Sequence, residues 1–279
     1  MKLYERQQKE LDFFLENKYL YLCASTGWGK SFVVLGLYQQ TKETVNILCP
    51  AHLISQWIKY CKEFSFPYAV CSKEGFKSNV INIVSIQWFT RNTAKVLKPS
   101  PALPNYKELM MEYKEKTFKR KEILDSIQNG YLVIDEFHRV LGFASEIYKI
   151  LQKIETKGIM YLSATPIEHG GWDLYPAIRT NPQIYNLLTD KKGFKNATEF
   201  KNERCKKDPY ETRKIIGMDK NVERFFRKLL HVRKHVNNED ELIKTFICKI
   251  EYPKELTGWI YRYIGTYQAY KHLPLEDNY

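Results

Sequence analysis

One stretch restricts the fold of this chain more than any other. Tyr19-Leu20-Tyr21-Leu22 leads into Cys23-Ala24-Ser25-Thr26-Gly27-Trp28-Gly29-Lys30-Ser31, and Phe32-Val33-Val34-Leu35 leads out of it. An apolar run, a glycine-containing turn and a second apolar run read as a buried strand, a tight loop and a helix. The loop fits the phosphate-binding pattern, with Ala24 where its first Gly usually stands. Gly27 and Gly29 let the backbone fold tightly, so that successive N–H groups point at one anion. The helix that starts near Lys30 presents its positive end to the same place. On this pattern Thr26, Gly27, Trp28, Gly29, Lys30 and Ser31 bind a nucleotide, with Lys30 reaching the terminal phosphates and the Ser31 hydroxyl ligating Mg²⁺. The competing reading is a glycine turn before an ordinary amphipathic helix.

A second element decides between them. Tyr131-Leu132-Val133-Ile134 is another apolar run, followed at once by Asp135-Glu136-Phe137-His138. Two adjacent carboxylates therefore stand at the carboxyl end of a predicted buried strand, where open α/β sheets bind their ligands. Asp135 is the candidate Mg²⁺ holder, and Glu136 the candidate base that orients and deprotonates an attacking water. An Asp-Glu pair opening a solvated helix is the bland alternative, and the phosphate loop upstream argues against it.

Asp135-Glu136-Phe137-His138 resembles the Asp-Glu-x-His box of superfamily-two helicases, and Leu162-Ser163-Ala164-Thr165-Pro166 resembles their Ser-Ala-Thr motif. The continuation, Thr165-Pro166-Ile167 through Asp173-Leu174-Tyr175, is similar to the SWI/SNF branch of DNA translocases. The motifs occur in family order over nearly the whole chain. The resemblance implies an α/β, RecA-like P-loop domain: a mainly parallel sheet between layers of helices, with a basic, mostly helical C-terminal extension. Residues 1–180 would form the ATP-binding lobe and 181–279 the extension packed on it. It also implies ATP and Mg²⁺ as cofactors and duplex DNA as partner, contacted through its backbone. His138, Ser163 and Thr165 would couple the ATP site to the DNA site, the loop hydroxyls bonding Asp135 or Glu136.

Composition supports a polyanionic partner and a reducing compartment. The formal net charge is +12, and fifteen Lys/Arg against six Asp/Glu lie between Lys191 and His235. That surplus fits either nucleic acid or a solvated lysine-rich surface. No long apolar run suits a membrane span, and Met1-Lys2-Leu3-Tyr4-Glu5-Arg6 lacks the apolar core of a signal peptide. The six cysteines show no Cys-x-x-Cys pair and no zinc spacing. An intracellular setting, cytoplasmic or nuclear, is expected.

Along the chain, Leu3 to Leu15 read as a helix that resembles the family's Gln motif. Gln7 aligns with the glutamine whose amide reads both edges of adenine, and Gln8 is the alternative register. Val45–Pro50, Tyr68–Cys71 and Val80–Val84 are further strands. His52, Ser55 and Gln56 follow the first of these, and Ser85 and Gln87 follow the last. They resemble the two DNA-backbone motifs, Ia and Ib; a helix cap for His52 and a polar strand end for Ser85 and Gln87 remain open. Trp57 reads as core in preference to a base-stacking platform. Asn105–Asn129 form one long helix after a loop punctuated by Pro99, Pro101 and Pro104. Asn221 to Arg233 resembles a family helix, with Arg233 and Lys234 a loose match to the turn after it. Phe246–Ile250 reads as a last strand and Leu256–Tyr270 as a last helix.

The sequence departs from the family pattern in one respect. It carries no second RecA-like core and no arginine-finger motif, and loss of a finger slows phosphoryl transfer by ~10³–10⁵. Two readings follow. The chain is the front lobe of an enzyme whose second lobe comes in trans or has been lost by truncation, or it is a non-catalytic, nucleotide-gated DNA-binding or helicase-docking adaptor. Lys30, Asp135 and Glu136, all intact, favour the enzyme.

Overall fold

The computed structural model describes residues 1–140, 145–152, 154–165, 175–180, 199–200, 202, 205–207, 215–218 and 230–231. Largely apolar pentapeptides such as Tyr19–Cys23 (β1), Val45–Cys49 (β2) and Tyr131–Asp135 (β5) are buried along nearly their whole length. That pattern belongs to a parallel sheet covered on both faces. With Tyr68–Val70 (β3), Ile81–Ser85 (β4), Gly158–Ser163 (β6) and Leu230–His231 (β9), they form a seven-stranded sheet. Its order is β3-β4-β2-β5-β6-β1-β9, and every pairing is parallel. Cys205–Lys207 (β7) and Ile215–Met218 (β8) form a separate antiparallel pair.

Alternation along the strands sorts side chains into two cores, one on each face. One face joins Leu20, Leu22, Ile47, Cys49, Val133 and Leu162 to Glu5–Asn17 (α1), Lys30–Thr41 (α2) and Ile54–Glu63 (α3). The other joins Tyr21, Leu48, Ile134 and Tyr161 to Ile86–Thr93 (α5), Tyr106–Gln128 (α6), Glu146–Leu151 (α8) and Tyr175–Arg179 (α9). A single helical turn, Cys71–Glu74 (α4), follows β3, and Phe137–Val140 (α7) follows β5. The α/β, mainly parallel, helix-sandwiched architecture is thus the one expected from the sequence.

Because all seven strands run the same way, their carboxyl ends share one edge. Register places Cys49 beside Ser85, Leu48 beside Ile134, Asp135 beside Leu162 and Ser163 beside Cys23. The phosphate loop, the Asp-Glu pair and the Ser-Ala-Thr loop therefore emerge from three neighbouring strands, β1, β6 and β5. The candidate DNA-contact turns emerge from β2 and β4 next to them.

The described parts of the C-terminal stretch include strands β7, β8 and β9 where a mostly helical extension is expected. A helix was expected over 221–233, yet Leu230–His231 is extended and pairs with Tyr21–Leu22 of β1. β1 would otherwise form a sheet edge with its N–H and C=O groups unpaired, and a strand covers that edge where a helix does not. Phe200, from the same stretch, is fully buried and stacks on Tyr175 with ring centroids 4.0 Å apart. The segment 166–174, most of the basic stretch 191–235, Arg233, Lys234, the strand expected at 246–250 and the helix expected at 256–270 lie outside the described residues.

Among the described residues no helix is long and apolar enough to cross a membrane, and no group of His, Cys, Asp and Glu is arranged to hold a metal ion as a cluster. Cys49, Cys61 and Cys71 are buried free thiols, pushed up to about 12 by that burial, as suits small apolar fillers.

Candidate nucleotide site

The loop between β1 and α2 needs its glycines. Gly27 and Gly29 both sit at left-handed φ, 87° and 91°, and Gly29 caps the amino end of α2. That end leaves backbone N–H groups without helical acceptors, which is what an anion uses. Trp28 turns the other way, into the core beneath α1 and α2, and is only 4% exposed. Of the expected loop residues, Thr26 and Gly27 are exposed, while Gly29, Lys30 and Ser31 are half-buried. Lys30 Nζ donates to the Ala24 carbonyl at 2.7 Å and the Ser25 carbonyl at 3.2 Å, folding the side chain over the loop. Burial lowers its pKa, and Glu136 and then Asp135 oppose that shift. The ammonium is thus close enough to both carboxylates to feel their charge.

Gln7 has a different position from the one its motif suggests. Its Nε2 donates to the carbonyls of Trp28 (3.2 Å) and Gly29 (3.4 Å), and its Oε1 accepts from Tyr4 N–H at 3.0 Å. The side chain is 2% exposed. Both ends of the amide are therefore engaged by the chain itself: it caps α1 and props the phosphate loop from behind. Reading both edges of adenine would require it to give up these bonds. Gln8, the alternative register, bonds Asp12 on the helix surface.

Asp135 ends β5 and is almost fully buried. Its Oδ1 accepts from Glu136 N–H at 3.0 Å and its Oδ2 from Trp57 Nε1 at 3.0 Å. Burial pushes the carboxyl up to about 6, against the opposing pull of the Trp57 hydrogen bond. Glu136 takes a left-handed backbone, φ 51°, which turns its N–H back onto Asp135. A non-glycine residue there stores strain of roughly 1–3 kcal/mol. Glu136 Oε2 faces His138 Nδ1 at 3.3 Å.

The Ser-Ala-Thr loop closes this group by a different route from the one expected. Ser163 Oγ meets His138 Nδ1 at 2.8 Å and accepts from Thr165 N–H at 2.9 Å, and Thr165 Oγ1 meets His138 Nε2 at 3.3 Å. The hydroxyls expected on Asp135 or Glu136 instead grip both nitrogens of the imidazole. The β6 loop reaches Glu136 through that ring, which spans the gap between the two strands' turns.

The candidate DNA-contact residues share the same edge of the sheet. His52 lies in a short 3-10 turn, Ala51–Leu53, after β2, and Ser55 and Gln56 lie in the first turn of α3; all three are exposed. Gln56 Nε2 donates to Tyr60 Oη at 2.7 Å. Ser85 is the N-cap of α5 and accepts from Trp88 N–H at 3.1 Å, and Gln87 is exposed beside it. Sequence reasoning placed Trp57 in the core, where it is, but missed that its indole N–H holds Asp135. The only available signal was general: a buried tryptophan needs an acceptor.

The donors fit a nucleoside triphosphate with Mg²⁺. A buried carboxylate and a hydroxyl are the hard oxygen ligands that ion takes, and a lysine with a glycine-shaped loop suits phosphate. Fold and site together define a P-loop nucleotide-binding lobe of the RecA-like kind. Residues 4–170 match the family model for DEAD/DEAH box helicases, and the chain belongs to that family. Two relatives and a shared fold support the resemblance to the SWI/SNF-like branch. It is 26% identical over 194 residues to a DNA repair and recombination protein RAD54-like from Drosophila ananassae, covering 64% of this chain and 23% of that protein. It is 25% identical over 198 residues to Protein CHROMATIN REMODELING 5 of Arabidopsis thaliana, covering 67% of this chain and 11% of that protein. The chain thus spans less than a quarter of the length of these relatives. The Sulfolobus solfataricus SWI2/SNF2 ATPase core in complex with dsDNA shares the fold, with a TM-score of 0.56 at 17% identity over 84% of this chain and 44% of that one.

Proposed function

We propose that this lobe binds ATP with Mg²⁺ and, joined to a second RecA-like lobe supplied in cis or in trans, hydrolyses it while moving along duplex DNA. The convergence of the phosphate loop, Asp135-Glu136 and the His138–Ser163–Thr165 cluster on adjacent strand ends carries the proposal. Gly27, Gly29 and the start of α2 bind the phosphates. Lys30 exchanges two neutral carbonyls for charged phosphate oxygens, a stronger bond. Ser31 and Asp135 would hold Mg²⁺, which when bound neutralises phosphate charge. Glu136 takes the proton of the attacking water, and His138 holds Glu136 to the β6 loop. His52, Ser55, Gln56, Ser85 and Gln87 meet the DNA backbone, which makes contact sequence-tolerant and salt-sensitive. Residues 1–180 form the core of the ATP-binding lobe, with the extension from 181 lending β9 to its sheet. Work on DNA sets the protein inside the cell.

The test is ATP turnover with and without duplex DNA, for the native chain and for Glu136→Gln, each in the presence of a second RecA-like lobe. DNA-stimulated turnover that falls by more than about a hundredfold in Glu136→Gln is expected. Tight ATP binding with no turnover under any of these conditions would instead mean a non-catalytic adaptor.

A further inference from the structure

We infer that Trp57 is a positioning residue: its indole N–H sets the Asp135 carboxylate for the metal, and through it helix α3 links the DNA-facing turn after β2 to the ATP site. The inference rests on the reading of Asp135 as a Mg²⁺ ligand.

Trp57 is 2% exposed, and packing alone would be met there by any large ring. The indole adds one polar atom, a donor with no acceptor capacity. That donor is spent on Asp135 Oδ2, at 3.0 Å and from 78 residues away in sequence. The other carboxylate oxygen is held by Glu136 N–H, from the turn that β5 itself makes. The carboxylate plane is therefore fixed from two sides by two different elements. Each oxygen keeps a second lone pair for a cation or its water.

The same helix touches the other half of the site. The Tyr60 ring packs edge-on to Trp57 at 6.2 Å and against Phe32 at 5.7 Å, and Phe32 directly follows Ser31 in α2. The exposed Gln56 amide donates to the Tyr60 hydroxyl. An unbroken run of contacts thus joins Gln56, a proposed DNA contact, to Tyr60, Trp57 and Asp135, with a branch to the helix behind the phosphate loop. A shift of the first turn of α3 against DNA moves the groups that hold Asp135. Linkage then requires the converse effect of equal size on DNA affinity.

The test is the Mg²⁺ concentration needed for half-maximal binding of a fluorescent ATP analogue, with the affinity in EDTA measured on the same sample. Trp57→Phe keeps a ring and removes the N–H. It should raise the Mg²⁺ requirement about tenfold or more while leaving affinity in EDTA within about twofold. A short duplex should lower the requirement of the native chain and leave that of Trp57→Phe unmoved. An unchanged requirement in Trp57→Phe, or an equal loss of affinity in EDTA, overturns the positioning role. A duplex effect that is absent from the native chain, or survives intact in the variant, overturns the link to DNA. Asp135→Asn separates the two levels. If it raises the Mg²⁺ requirement and Trp57→Phe does not, this inference alone falls; if neither does, the metal reading of Asp135 falls with it.

Discussion

Gly27 and Gly29 have nearly the same φ but different surroundings. A Cβ on Gly27 would meet nothing within 4 Å; on Gly29 it would lie 2.3 Å from Gln7 Nε2 and 3.1 Å from the Phe32 ring. Gly27→Ala should therefore cost only the left-handed backbone, about 1–2 kcal/mol. Gly29→Ala should cost more and also displace the loop from Gln7. Adding Gln7→Ala should then recover part of that loss, so thermal melts of the single and double variants should be non-additive; strict additivity would mean that Gln7 does not buttress the loop. Asp135 gives a second prediction. Its folded pKa, about 6, lies above the ordinary 3.8 because burial disfavours the charge. The raised value contributes stability that is fully present below about 4 and lost as pH rises through about 6. In metal-free protein, the stability difference between native and Asp135→Asn should therefore shift against the native chain by about 2 kcal/mol as pH rises from about 4 to 7. A flat difference across that range would contradict a carboxyl whose pKa burial raises. At this scale the phosphate-loop residues and the Asp-Glu pair were legible, because their types and spacing are the chemistry. The Trp57 bond was not: it joins residues on separate elements that only the folded sheet brings together.

At the scale of elements, the apolar runs announced β1, β2 and β5, since a strand covered on both faces is largely apolar. The long helix expected at 105–129 is present as Tyr106–Gln128. β9 was missed because two residues of edge pairing leave no periodicity to read. The turn after β6 shows the same limit. The Ser-Ala-Thr motif marked it as functional, yet its hydroxyls hold the imidazole of α7 and not the carboxylates. Ser163→Ala removes the 2.8 Å partner of His138 Nδ1, the nitrogen that faces Glu136 Oε2. DNA-stimulated turnover should fall about tenfold, with nucleotide affinity within about twofold. Single-turnover rates beside equilibrium binding check this, and a matching loss of affinity would show that the serine merely supports the loop.

At the scale of the whole molecule, parallel strand direction performs the organising step. It brings five turns, distant in sequence, to one edge of the sheet, with the ATP-site turns on β1, β6 and β5 and the candidate DNA turns on β2 and β4. The order of the motifs made this arrangement foreseeable; the contacts of α3 across it were not. The central claim is that this edge holds a nucleotide by its phosphates. Equilibrium binding of ATP with Mg²⁺ to the native chain and to Lys30→Ala tests it most directly. Saturable binding by the native chain, weakened about tenfold or more in the variant, is expected. Equal affinity in the two, or no binding by the native chain, would contradict it.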